Sequence, residues 1–98
     1  MSQSAFGYRY WQIFIDADDP TLQQVERVKY VLDPTFTPSV IELGPSSRQD
    51  KFRYEAMGYD SFRMEVWIYF VGKPIPFTTK YFLDISKESG AQVVNPTV

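Results

Sequence analysis

Two short stretches hold the residues best suited to chemistry at a surface. Residues 25–36 (VERVKYVLDPTF) end in Asp33-Pro34-Thr35-Phe36, and residues 58–70 (GYDSFRMEVWIYF) begin with Gly58-Tyr59-Asp60. Each sets a small hydroxyl residue or a glycine beside a large aromatic, in a turn attached to a strand-like apolar run. Aromatic faces can sandwich a flat group, a threonine hydroxyl donates and accepts, and a glycine lets a ligand approach the backbone. That combination is the chemistry of a recognition cleft, not of a catalytic centre. By pattern alone, Phe36 and Tyr59 fit a plug over the end of a core as well as they fit a ligand contact.

Two other clusters carry acidic chemistry. Asp16, Asp18 and Asp19 offer hard oxygen ligands of the kind calcium takes, but they lack the regular alternation and following glycine of a calcium loop. A turn-forming Asp before Pro20 accounts for them better. Glu55 and Asp60 flank Gly58 and could act as an acid–base pair, yet nothing beside them marks a nucleophile or a phosphate-cradling loop. The chain has no histidine and no cysteine, which excludes disulfides, Cys/His zinc sites and every His-based acid–base mechanism. The expectation is a binding module and not an enzyme, with no cofactor and no metal.

The elements that position these residues read as strands. Along residues 9–17, Trp11, Ile13 and Ile15 point one way and Tyr10, Gln12 and Asp16 the other, with Phe14 on the polar face suggesting a second covered surface. Residues 22–32 fit two periods: Leu22, Val25, Val28 and Val31 recur at helical spacing after an Asp19-Pro20 cap, while Val28, Tyr30 and Leu32 line one strand face. The β-branched and aromatic content of 28–32 favours a strand there. A Pro-rich turn follows at 33–38, then a short strand to Leu43, a polar loop at 46–51, and an alternating run from Phe52 into the turn at 57–61. Residues 62–71 alternate strictly and predict a long central strand, with Trp11, Phe62, Trp67 and Phe70 assigned to core packing. Residues 77–86 supply a last strand with Thr79, Tyr81, Leu83 and Ile85 inward. Six or seven short strands with turn signals between them predict an all-β, immunoglobulin-like antiparallel β-sandwich.

At 98 residues the chain has room for one core, with the domain over residues 1–86 and a flexible polar tail over residues 87–98. Ten basic against twelve acidic residues leave a formal charge of -2, without the basic stripe that binding nucleic acid needs. No apolar run approaches the roughly 20 residues of a membrane span, and no signal peptide is visible at the N-terminus. The absence of cysteine adds to the expectation of an intracellular protein, cytoplasmic in preference to nuclear.

On these residues the chain resembles the YEATS domain family, immunoglobulin-fold readers of acylated lysine. The likeness spans about residues 10–86. It begins with WQIFI at Trp11 and continues through VERVKYVLDPTF, similar to the family's Val-rich strand leading to His-x-Ser/Thr-Phe. It is most specific in GYDSFRMEVWIYF, similar to the Gly-aromatic-small-Gly-Phe turn and the long strand after it. The Pro-Thr-Phe wording, the brevity and the lack of a basic surface are closer to the prokaryotic branch, associated with signalling and defence-related proteins. The resemblance implies that Phe36 and Tyr59 sandwich a planar acyl amide, that Thr35 orients it, and that backbone N–H groups beside Gly58 and Tyr59 bind its carbonyl. Asp33 stands where many readers have histidine, and Asp60-Ser61 replaces the usual small-Gly pair; both aspartates would favour a basic peptide around the lysine. The partner implied is a protein or peptide, acylated on lysine, with no direct nucleic-acid or membrane partner. The alternative is a protein-interaction or sensor domain without acyl-lysine specificity.

Overall fold

Strict alternation of burial builds the central strand. In β5, Phe62–Phe70, the side chains of Met64, Val66 and Ile68 are buried while Arg63 and Glu65 are exposed, as the two-residue period of a pleated strand requires. The computed structural model describes residues 9–58, 60–87 and 90–96. The other elements are β1 (Arg9–Ile15), α1 (Asp19–Gln23), β2 (Val25–Val31), β3 (Val40–Leu43), a 3-10 helix (Pro45–Asp50), β4 (Tyr54–Gly58), β6 (Phe77–Leu83) and β7 (Ala91–Val94). They form two sheets, a four-stranded β3-β2-β5-β6 and a three-stranded β4-β1-β7. Their inner faces share one core, so the protein is the all-β sandwich expected.

The ambiguous segment 22–32 divides between both periods. Asp18 caps α1 by accepting from the Thr21 N–H at 3.0 Å, one residue before the expected cap, and the helix is only long enough to bury Leu22. Arg48 ends it, donating from Nε to the Leu22 carbonyl at 3.0 Å and from a terminal nitrogen to that of Val25 at 2.6 Å. From Val25 the chain is strand, with Val28 and Tyr30 facing inward. Tyr30 donates its hydroxyl to the Phe52 carbonyl at 2.7 Å, and burial pushes its phenol pKa well above the ordinary value.

Residues 87–98 are not simply a tail. Ala91–Val94 form β7, which lies parallel to β1, pairing Ile13 with Gln92 and Ile15 with Val94. Every other strand pair among the described residues is antiparallel. The parallel arrangement is open to β7 because a long stretch of chain separates it from β1, so no tight hairpin has to join them. Gly90 makes the approach possible: its φ is +71°, and a Cβ there would fall 2.6 Å from the Tyr10 carbonyl oxygen.

The outer face of the four-stranded sheet corrects a second expectation. Trp67 belongs to that face and not to the core; the Lys29 ammonium sits 4.2 Å from its ring centroid and its indole donates to Glu65 at 3.0 Å. Beside it, the Arg27 guanidinium lies 3.7 Å over the Tyr69 ring while pairing with Glu42 at 2.7 Å. Phe14, on the outer face of β1, is covered by the Arg53 guanidinium at 4.7 Å, the second surface its position suggested.

Candidate functional site

The chain passes between the sheets where β4 gives way to β5, and this crossing faces the β2–β3 turn. The turn is built locally. Asp33 Oδ1 accepts from the Thr35 N–H at 3.0 Å and from the Thr35 hydroxyl at 2.9 Å, and the Phe36 N–H donates to the Asp33 carbonyl at 2.9 Å. The Thr35 hydrogen bonds, that of the N–H first, hold the Asp33 carboxyl below the ordinary aspartate pKa. Leu32 donates to the Ser39 carbonyl at 2.7 Å and closes the base of the turn, which contains a cis peptide at Thr37-Pro38.

So fastened, the turn directs Phe36 inward. Its ring lies 5.0 Å from that of Phe62, tilted by 46°, and meets Trp11 edge-on at 6.1 Å and 84°. Opposite, Ser61 is anchored by accepting from the Ile85 N–H at 2.9 Å. Between the two connections opens a cavity of about 710 Å³. Asp33, Thr35, Phe36, Gly58 and Asp60 all line it, so five of the six residues singled out in the sequence come together. The sixth, Tyr59, lies outside the described residues.

The two readings of Phe36 turn out to be compatible. It is half-buried: one part of the ring plugs the sandwich against Trp11 and Phe62, and another part walls the cavity. Gly58 is buried beside Phe36 and Trp11. A Cβ there would lie 3.5 Å from both Phe36 Cζ and Trp11 Nε1, at ordinary contact distance.

Sequence reading missed Thr37, Met57, Ser61 and Phe62 as lining residues. Phe62 was assigned to the core because it opens the alternating run of β5. Its place at the end of that run was the available signal, since the first inward residue of a strand faces the mouth of a sandwich. Glu55 does not line the cavity that Asp60 lines, so the two carboxylates do not form an acid–base pair there. Among the described residues no cluster of His, Cys, Asp or Glu could hold a metal ion, and no helix is long and apolar enough to cross a membrane.

The cavity's electrostatics are one-sided. Asp33 and Asp60 are its ionisable residues, with no Lys or Arg among the described lining. Thr35 spends its hydroxyl proton on Asp33, which leaves the lone pairs of the Thr35 oxygen as acceptors.

The sequence model of the prokaryotic YEATS domain matches residues 9–83, from the start of β1 to the end of β6. The chain belongs to that family. As a prokaryotic YEATS domain it is a YEATS-like binding module, and the match contains both connections that wall the cavity. Strand β7 lies beyond the matched segment, yet completes the sheet that carries Trp11. No curated relative matches the chain.

Proposed function

We propose that this YEATS domain binds a peptide through an acylated lysine, with the acyl amide seated in the cavity between the β2–β3 turn and the β4–β5 crossing. Acylation removes the lysine charge and leaves a flat amide on an alkyl stem. The observation that carries the proposal is the convergence of the Phe36 ring, the acceptor oxygen of Thr35 and bare Gly58 on one cavity. A flat amide gains stacking on the aromatic wall, on the order of 0.5–1.5 kcal/mol beyond burial, and offers its N–H to Thr35. The aspartates at the rim suit basic residues flanking the acylated lysine.

The test is an NMR titration with peptides bearing acetyl-lysine, crotonyl-lysine and unmodified lysine. Saturable shifts at Thr35, Phe36 and Gly58 with the acylated peptides alone are expected. Thr35→Val removes the acceptor from an exposed position, so the fold is retained while affinity falls about five- to tenfold. Phe36→Leu keeps the apolar plug and removes the ring face, with a similar loss. Equal binding of modified and unmodified peptides would sink the proposal.

One observation favours a second reading, in which the module docks on a protein surface without selecting acyl groups. Phe36 already has ring partners in Trp11 and Phe62, so it has a structural reason to be there without a ligand. A partner retained at full strength by Phe36→Leu would establish that reading.

A further inference from the structure

The opposite end of the sandwich carries a second opening that an acyl-lysine would not occupy. Strand β5 runs from Phe62 at the first cavity to Phe70 at this one, so about 26 Å of strand separates the two. The second opening is a groove of about 610 Å³ between α1 and the β5–β6 connection, residues 71–76. Phe70 and Phe77 line it while packing against the core, and so give it an apolar floor. Val71 and Ile75 line it from the connection, where they stay 53% and 80% exposed. The connection that holds them in water is fastened at both ends. The Val71 N–H donates to the Gln24 carbonyl at 2.7 Å and the Lys73 N–H to that of Phe70 at 3.1 Å, while Pro74 and Pro76 restrict the backbone on either side of Ile75. Single exposed apolar residues are ordinary, but two on a braced turn beside an aromatic floor form a patch that an apolar group can cover.

The charge of the groove is as specific as its shape. Lys73 is the ionisable residue of the described lining, and its ammonium has no ion pair among the described residues. Thr21 and Gln24, the other polar residues there, are uncharged. Asp18 and Asp19 are near in sequence, but neither lines the groove, and Asp18 is engaged in capping α1. We propose that this groove binds a small organic acid: an apolar body, aromatic or a short alkyl chain, lies on Phe70 and Phe77 beside Val71 and Ile75, and its carboxylate meets the Lys73 ammonium. The volume falls within the roughly 300–1,000 Å³ of small-molecule sites, which pair an apolar lining with a few polar groups that fix orientation. A lone cation over such a lining favours the acid over a neutral molecule of the same shape. Nothing at this site depends on the acyl-lysine reading, whose cavity is acidic where this groove is cationic.

The probe is 4-phenylbutyrate, with 4-phenylbutanol as its neutral counterpart, each titrated into the isotope-labelled chain and followed by NMR. Saturable shifts of the Phe70, Val71, Ile75 and Phe77 amides are expected, with nuclear Overhauser contacts between the probe's ring protons and the Ile75 methyl groups. The acid should bind about two- to fivefold more tightly than the alcohol, the scale of an exposed ion pair, and the gap should close in Lys73→Met or at high salt. Ile75→Ser, at a position mostly in water, should leave the melting temperature unchanged and weaken both probes. No saturable shift in the groove at millimolar probe would overturn the proposal, and so would shifts confined to Thr35, Phe36 and Gly58 at the far end. Equal binding of acid and alcohol would overturn the role of Lys73 and the class of ligand with it.

Discussion

Thr35 and Asp33 act as a pair, and their coupling has a pH signature. The native turn favours the ionised Asp33 carboxylate, because Thr35 donates to it twice, so its folded pKa lies below its unfolded one. The stabilisation is therefore present above the ordinary aspartate pKa of about 3.9 and lost as pH falls through the lower folded value. With no histidine in the chain, no side chain with an unperturbed pKa near neutrality exists to add a second transition. Affinity for an acylated peptide should be flat from about pH 5 to 8 and fall below about pH 4. Asp33→Asn, which keeps an acceptor oxygen but not the charge, should flatten the acid limb when Kd is measured across that range. Asp33 also illustrates how far side-chain chemistry was readable in advance. Its place in a Pro-rich turn was plain from Asp33-Pro34, whereas its hold on Thr35 depends on how the turn is folded.

At the scale of the element, β7 carries the most weight for its size. Gln92 is buried between the sheets; its side-chain oxygen accepts from the Tyr81 hydroxyl at 3.0 Å and the Asp84 N–H at 3.1 Å, and its nitrogen donates to the Asp84 carbonyl at 2.9 Å. These bonds tie the end of β6 to the opposite sheet. Gln92→Leu keeps the bulk but strands the Tyr81 and Asp84 groups, and should cost about 1–3 kcal/mol in urea denaturation. Gly90→Ala should cost more than the ordinary 0.4–1 kcal/mol scale of glycine substitutions, through the left-handed backbone and the Tyr10 carbonyl it would strike. This element escaped the sequence reading for physical reasons. AQVV is four residues long, too short for alternation to show, and a buried glutamine reads as polar surface until its partners are known. By contrast β5 and β1 were legible because their alternation runs far enough for the inward set, Trp11, Ile13 and Ile15 or Met64, Val66 and Ile68, to be unmistakable. Trp67 failed the same test because its face of β5 is covered by the cations of β2 and not by a second sheet.

Across the whole molecule, the sheet that carries Trp11 is complete only with β7 in place. A chain ending at residue 86 leaves the β1 edge and the Gln92 partners open, and should unfold at markedly lower urea than the full chain, measured by tryptophan fluorescence. Charge acts on the same scale. The net charge of -2 and the two cavity aspartates oppose acyl groups that end in a carboxylate. A succinyl-lysine peptide should bind about fivefold or more below a butyryl one by calorimetry at low salt, with the gap narrowing in Asp60→Asn or at high salt. The two walls of the cavity also come from different layers: the β2–β3 turn belongs to one sheet, while β4 brings Gly58 from the other. A molecule lodged there acts as a removable cross-brace between the layers, present only in the native state, so occupancy and resistance to heat are linked by mass action. At a free concentration of 100 Kd that linkage is worth about 2.7 kcal/mol, and in a domain of this length it raises the midpoint of melting by about 10 °C or more. A thermal-shift screen of modified peptides can thus rank ligands before any of them has been seen in the site.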